Sequence, residues 1–252
     1  MGQTGPMSGE VGQGGVDQDE VGQREVGQGG VDRGEGGATG SRPAPEYGVP
    51  PEAALARVRA FADELVRRRT IREFSDRPVP DGVLREAVRA AASAPSGANV
   101  QPWRFVVVTE PATKRALREA AEREEHHFYT RRASQEWLDA LAPLHTDWRK
   151  PFLESAPAII AVFEVHKGPH TPRPYYVKES VGIAVGFLLA ALHRAGLATL
   201  THTPSPMRFL NRILDRPPEE RGFLLVPVGY PADGATVPAV RRKPLADVLV
   251  WR

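Results

Sequence analysis

Four short segments carry side chains whose chemistry reaches beyond packing. The first is Arg67-Arg68-Arg69-Thr70-Ile71-Arg72. Guanidinium groups present paired donors that match the oxygens of a phosphate. Ile71 and Phe74 alternate with the charges, which anchors the segment and fixes the direction of Arg68 and Arg72; a solvated charged face is the competing reading. The second is Pro95-Ser96-Gly97-Ala98-Asn99, between a helix and a strand. Small side chains and exposed N–H groups there let a planar ligand lie close to the backbone, although a plain connection would look the same. In the third, Glu124 to Tyr129, Glu125 and Tyr129 stand at i and i+4, so a carboxylate and a phenol can converge on one ligand; otherwise the segment is a polar surface helix. His126 and His127 point apart on a helix, and no third ligand is spaced with them, so a metal site is not expected. Trp137 and Trp148, which follow, are packing residues before they are stacking platforms. The fourth, Thr201-His202-Thr203 before Pro204, ends a strand with hydroxyls and N–H groups that could meet a ligand edge or form an ordinary turn. A single histidine there is structural more often than catalytic.

These groups need a scaffold, and hydrophobic periodicity supplies one. Ala53–Arg69 places Leu55, Val58, Phe61, Leu65 and Val66 on one face of an amphipathic helix. Asp81–Ala94 reads as a second helix, with Asp81 as N-cap and Val83, Leu84, Ala87 and Val88 inward. Arg104–Glu110 is a buried strand, Pro111–Arg132 a helix with proline in its first turn, and a polar helical stretch runs on to Lys150. Strand Pro157–Val165 follows. The helix Glu179–Gly196 is apolar nearly all round and therefore belongs at the centre of the fold or of a dimer, with Gly196 as its terminating glycine. Leu197–His202 is a short strand, Ser205–Leu214 a helix and Gly222–Pro231 a strong strand, and the tail Val240–Arg252 closes on an apolar alternation. Mixed helices and strands around a long central helix predict one α+β layered domain over residues 49–252. Residues 1–48 are different: Glu-Val-Gly-Gln-Gly-Gly-Val-Asp occurs at Glu10–Asp17 and again at Glu25–Asp32. Its scattered single valines bury too little surface to offset the entropy of ordering, so disorder is expected.

Composition narrows the function classes. At 252 residues, 41% hydrophobic and 25% charged, the chain suits a soluble globular protein. Basic and acidic residues are interleaved and the net charge is only +2, so no nucleic-acid surface is indicated. There is no cysteine, which removes disulfides, thiolate metal sites and cysteine nucleophiles. No apolar run reaches the ~20 residues of a membrane span, and the N-terminus has no secretory pattern, so a cytoplasmic protein without membrane partners is expected.

In order, the four segments resemble the flavin-dependent nitroreductase superfamily, and within it the iodotyrosine deiodinase (halotyrosine dehalogenase) branch. The resemblance runs through Arg67–Pro80, Ser93–Val108, Glu124–Arg132, Trp137–Phe163, Gly196–Pro204 and Pro227–Leu245. It implies a nitroreductase-like three-layer fold and an intertwined homodimer whose FMN sites are built from both chains. By the same resemblance, Arg68, Arg69, Thr70, Arg72 and Arg242 hold the FMN phosphate and ribityl region. Pro95 and Ser96 lie beside the flavin ring; Thr201, His202 and Thr203 run along its far edge. The Thr203 hydroxyl on flavin N5 favours one-electron steps over hydride transfer. Glu125 accepts from a substrate ammonium, Tyr129 and Lys150 hold its carboxylate, and the Ala98 N–H holds its phenolate oxygen, beneath a lid of about residues 115–152. The implied activity is reductive dehalogenation of halotyrosines, with NAD(P)H or a separate reductase as electron source. A general NAD(P)H-dependent nitroreductase or quinone reductase of the same superfamily is the alternative; it has no need of the zwitterion clamp formed by Glu125, Tyr129 and Lys150. His202 departs from the family pattern, which matters little if that position works through its backbone.

Overall fold

The computed structural model of the chain describes residues 43–46, 48–167 and 174–252. The chain divides into two units, Met1–Gly48 and Val49–Arg252. The repeats predicted to be disordered lie outside the described residues, and the architecture below is that of the second unit.

Strand β2 (Ala158–Val165, AIIAVFEV) is apolar at nearly every position, and such a strand needs cover on both faces. It sits inside a four-stranded antiparallel sheet of order β1-β2-β4-β3, with β1 at Trp103–Val108, β3 at Ala198–Thr199 and β4 at Glu220–Gly229. The register sets Ile160 opposite Val226 and Val162 opposite Leu224 on one face, and Ala161 opposite Leu225 on the other. Helices α2 (Asp81–Ala92) and α6 (Val177–Arg194) cover the first face with Leu84, Ala87, Val181, Ala184, Leu188 and Leu192. The second face is covered by α3 (Pro111–His127), α5 (Phe152–Ser155) and α7 (Phe209–Ile213) through Leu117, Ala121, Leu153 and Leu210. The result is a three-layer α+β domain. Truncating a core leucine of this kind to alanine costs about 2–5 kcal/mol.

Some elements differ from the sequence expectations. Asp81 is the first residue of α2 and Pro80 occupies the cap, so the carboxylate supports the helix N-terminus from within the first turn. Strand β1 lies at the edge of the sheet rather than buried, with Val107 exposed. Helix α1 (Pro51–Val66) has the amphipathic pattern but buries none of it: Leu55, Val58, Phe61 and Val66 are 44–67% exposed. What ties α1 down is polar, through His193 Nε2 to Glu64 O at 2.8 Å and the Arg194–Glu64 ion pair. The outer side of α6 likewise leaves Ile183 and Phe187 open. Gly196, at φ 78°, closes α6 as predicted. Among the described residues, no helix is long and apolar enough to cross a membrane.

Candidate active site

The arginine segment is laced to the strand end. Thr70 bridges Thr199 in parallel and the Ile71 N–H donates to Thr199 O at 3.2 Å, which runs residues 70–72 beside 199–201. Ile71 and the buried Phe74 pack into the core, and Arg72 between them lines the cavity described next. Arg68, Arg69, Thr70, Arg72, Arg241 and Arg242 line a cavity of about 240 Å³ with Leu144, Val237, Pro238 and Val240. Five guanidinium groups meet there and no carboxylate does. Arg242 is fixed by donating to Val66 O and Arg68 O, both at 2.8 Å, and Arg69 donates to Pro238 O. The guanidinium groups of Arg68 and Arg72 have no hydrogen-bond or ion-pair partner among the described residues. Burial, and then the charges of Arg242 and Arg69, hold Arg68 below the usual guanidinium range; burial does the same to Arg72. A cationic cluster without a counter-charge fits an anion of phosphate type.

The strand end continues from this cavity. Thr201 and Thr203 are exposed, but His202 points the other way and is 8% exposed. Its N–H donates to Leu225 O at 2.9 Å and its carbonyl accepts from the Leu225 N–H at 2.8 Å. The His202 side chain thus lies on the opposite side from the two threonine side chains, and its backbone is tied to Leu225. The imidazole packs edge-on against Phe152, with centroids 5.5 Å apart. Its Nε2 and the Thr199 Oγ1 are buried without hydrogen-bond partners among the described residues. Burial first, then the charges of Lys150 and Arg72, lowers the imidazole pKa to about 3. It is neutral at physiological pH.

The third group assembles between α3 and Lys150. Glu125 is in the last turn of α3, which widens into a π-helical turn over Phe128–Arg132 that carries Tyr129. Lys150, only 3% exposed, places Nζ 3.3 Å from Glu125 Oε2 and 5.4 Å from the Tyr129 ring centroid. The same ammonium donates to Thr146 Oγ1 at 3.4 Å and to Asp147 O, while the Tyr129 hydroxyl donates to Thr146 O at 3.4 Å. Burial raises the Glu125 carboxyl and lowers the Lys150 ammonium, and each opposes the other's shift. The Arg72 charge acts on both Tyr129 and Lys150, so the clamp lies within electrostatic reach of an arginine that lines the cavity. Trp137 packs edge-on against Phe128 and Trp148 against His126.

Residues 95–99 form a turn outside the lining of the arginine cavity. Ser96 Oγ accepts the Gln101 N–H at 2.9 Å, and Ala98, Asn99 and Gln101 all adopt positive φ of 48–56°. Each such non-glycine residue costs about 1 kcal/mol or more, which marks a turn held by its surroundings. Gly97 faces the edge-on Tyr175–Tyr176 pair, and a Cβ there would stand 3.1 Å from Tyr176 Cδ2. Ala98 is exposed, and its N–H makes no hydrogen bond among the described residues. Pro95, Ser96 and Ala98 do not line the arginine cavity.

Several contributors escape sequence reasoning. Tyr175 and Tyr176 back the turn. Arg132 ties the lid to the loop after Thr203 by donating to Glu124 O at 3.0 Å and Ser205 O at 2.7 Å. Glu122 accepts the Lys150 N–H; its position three residues before Glu125 on one helix face was the available signal.

Comparison with known proteins identifies the family. The model of the nitroreductase family matches residues 65–230. An iodotyrosine deiodinase of Haliscomenobacter hydrossis is 54% identical over 204 residues, covering 79% of this chain and 92% of that protein. Iodotyrosine deiodinase 1 of Homo sapiens is 41% identical over 208 residues, covering 80% and 71%. A crystal structure of oxidized iodotyrosine deiodinase bound to FMN and 3-iodo-L-tyrosine superposes with a TM-score of 0.65 at 35% identity, covering 76% of this chain and 97% of that one.

Proposed function

Because the chain belongs to the nitroreductase family, on its iodotyrosine deiodinase branch, we propose that it removes halide from halogenated tyrosines using electrons from bound FMN. The observation that carries this reading is the meeting of Glu125, Lys150 and Tyr129 beside a carboxylate-free arginine cavity. A general nitroreductase has no use for a buried anion and cation paired at its mouth. An amino-acid head group does: its ammonium takes Glu125 and its carboxylate takes Lys150 and Tyr129, so each buried charge keeps a partner.

Arg68 and Arg72 would hold an FMN phosphate, with Arg69, Thr70 and Arg242 framing them, and Thr201 and Thr203 would offer their hydroxyls to the flavin. Reduced FMN, when bound, supplies the two electrons of the reaction. The Ala98 N–H holds the phenolate oxygen, so that the ring carbon bearing halogen accepts a proton in the keto form. The carbon–halogen bond then breaks, halide departs with the bonding pair, and the electrons restore the aromatic ring. Closure of the lid excludes water from the phenol and from its charge. The electrons originate with NAD(P)H, directly or through a separate reductase.

The turn bearing Pro95, Ser96 and Ala98 reaches the site from a second copy, making the enzyme an intertwined homodimer. This accounts for its separation from the arginine cavity within one chain, and for the uncovered apolar surfaces of α1 and α6. It also accounts for a C-terminal tail whose Leu245, Val248, Val250 and Trp251 are 65–85% exposed and for the open edge of β1, which together suit an exchanged segment.

Iodide release from dithionite-reduced, FMN-loaded protein given 3-iodo-L-tyrosine tests the reading. Glu125→Gln and Lys150→Ala are expected to weaken binding of that ligand by about 2–5 kcal/mol, since each strands a buried charge. Reduction of nitroaromatics with no iodide release, and affinities unmoved by both changes, would establish the general nitroreductase instead.

A further inference from the structure

Helix α3 grips the segment from Lys150 to Ala156 along its length. Lys114 Nζ donates to Glu154 O at 3.1 Å and to Ala156 O at 2.7 Å. Arg118 Nε pairs with Glu154 Oε2 at 2.7 Å, and its Nη1 reaches Glu122 Oε2 at 2.6 Å. The other Glu122 oxygen, Oε1, accepts the Lys150 N–H at 2.8 Å. Glu125 then takes the ammonium of the same lysine. Positions 114, 118, 122 and 125 fall on one helix face. Lys150 is held at both ends by one helix, its main chain by Glu122 and its ammonium by Glu125.

The contacts form a ring. Glu122 binds Lys150, Lys150 leads through Pro151 into α5, Glu154 of α5 binds Arg118, and Arg118 returns to Glu122. Sliding α3 against α5 would break charge-assisted bonds at two points of the ring at once. A lysine ammonium rides on a flexible four-carbon stem, so its placement is only as definite as its backbone. Lys150 lies just before the first turn of α5, outside the helical ladder, and its N–H has the Glu122 carboxylate as its partner.

Resting on the reading of Glu125, Tyr129 and Lys150 as a head-group clamp, we propose that Glu122 is the positioning residue of that clamp, fixing the Lys150 backbone so that its ammonium meets the substrate carboxylate. Glu122 touches no substrate. Its loss acts through Lys150 and falls on ligands that carry a head group.

In FMN-loaded protein, Glu122→Ala raises the Kd of 3-iodo-L-tyrosine by about tenfold or more, the order expected for a lost charge-assisted hydrogen bond. The rise for 2-iodophenol, which has the halophenol but no head group, is several times smaller. Glu122→Gln, whose amide oxygen still accepts the Lys150 N–H, recovers most of the loss. In ligand-free protein, Glu122→Ala speeds amide hydrogen exchange over residues 146–153. An unchanged Kd in Glu122→Ala, or equal losses for both ligands, overturns the proposal. Lys150→Ala in parallel separates it from the functional reading: should that change leave 3-iodo-L-tyrosine affinity intact, the clamp itself is refuted. Exchange over residues 146–153 then decides alone whether Glu122 holds Lys150, and unchanged exchange refutes that too.

Discussion

The imidazole of His202 is shut away from water within electrostatic reach of Lys150 and Arg72, with one nitrogen unpartnered among the described residues. In the unfolded chain it titrates near the ordinary value of 6.5; in the fold, at about 3. Between those values the unfolded state takes up a proton that the native state refuses. Its contribution to stability is therefore complete above about pH 6.5 and declines as pH falls toward 3, by at most ~1.4 kcal/mol per pH unit. His202→Gln removes that titration, so the loss of unfolding free energy between about pH 7 and pH 5 should shrink by about 2 kcal/mol in urea melts. Equal slopes in parent and variant would mean that His202 is not buried neutral. The inward direction of this residue was open to the sequence: on an extended segment neighbours alternate, so Thr201 and Thr203 sharing one side puts His202 on the other. Glu125 with Tyr129 was readable from helical spacing. Lys150 was not, because its approach to Glu125 depends on how the lid folds back between them.

At the scale of elements, periodicity foretold the helices and strands well but not what lies against them. The pattern of α1 specified an apolar face; nothing in it said that this chain would leave the face uncovered. Phe105, Val106, Val107 and Val108 run on without a polar break, which in sequence signals a buried strand, yet a single neighbour makes β1 an edge. The α3–α5 contact was beyond reading, since its donors are lysine and arginine, which in sequence mark a solvated helix face. Lys114 shows the difference: it is 8% exposed, and its ammonium closes two carbonyls at the end of α5. Lys114→Met keeps the apolar stem and strands both acceptors, so it should cost about 1.5–3 kcal/mol of unfolding free energy, with an unchanged denaturant slope. A variant as stable as the parent would show that water serves those carbonyls as well as the ammonium does.

For the whole molecule, the open surfaces of α1 and α6 and the C-terminal tail bear on the proposed homodimer. Phe61→Glu sets a charge into the exposed face of α1. It should convert the protein to monomer in light scattering and release FMN with it, because each monomer would keep the arginine cavity and lose its neighbour's turn at residues 95–99. A monomer that retains full flavin would overturn the shared site. The separation of that turn from the guanidinium cluster has a further consequence if two chains complete each site. Cofactor retention then obeys mass action in the protein itself: a yellow solution would bleach on dilution alone, and the apparent tightness of flavin would measure how firmly two polypeptides hold each other.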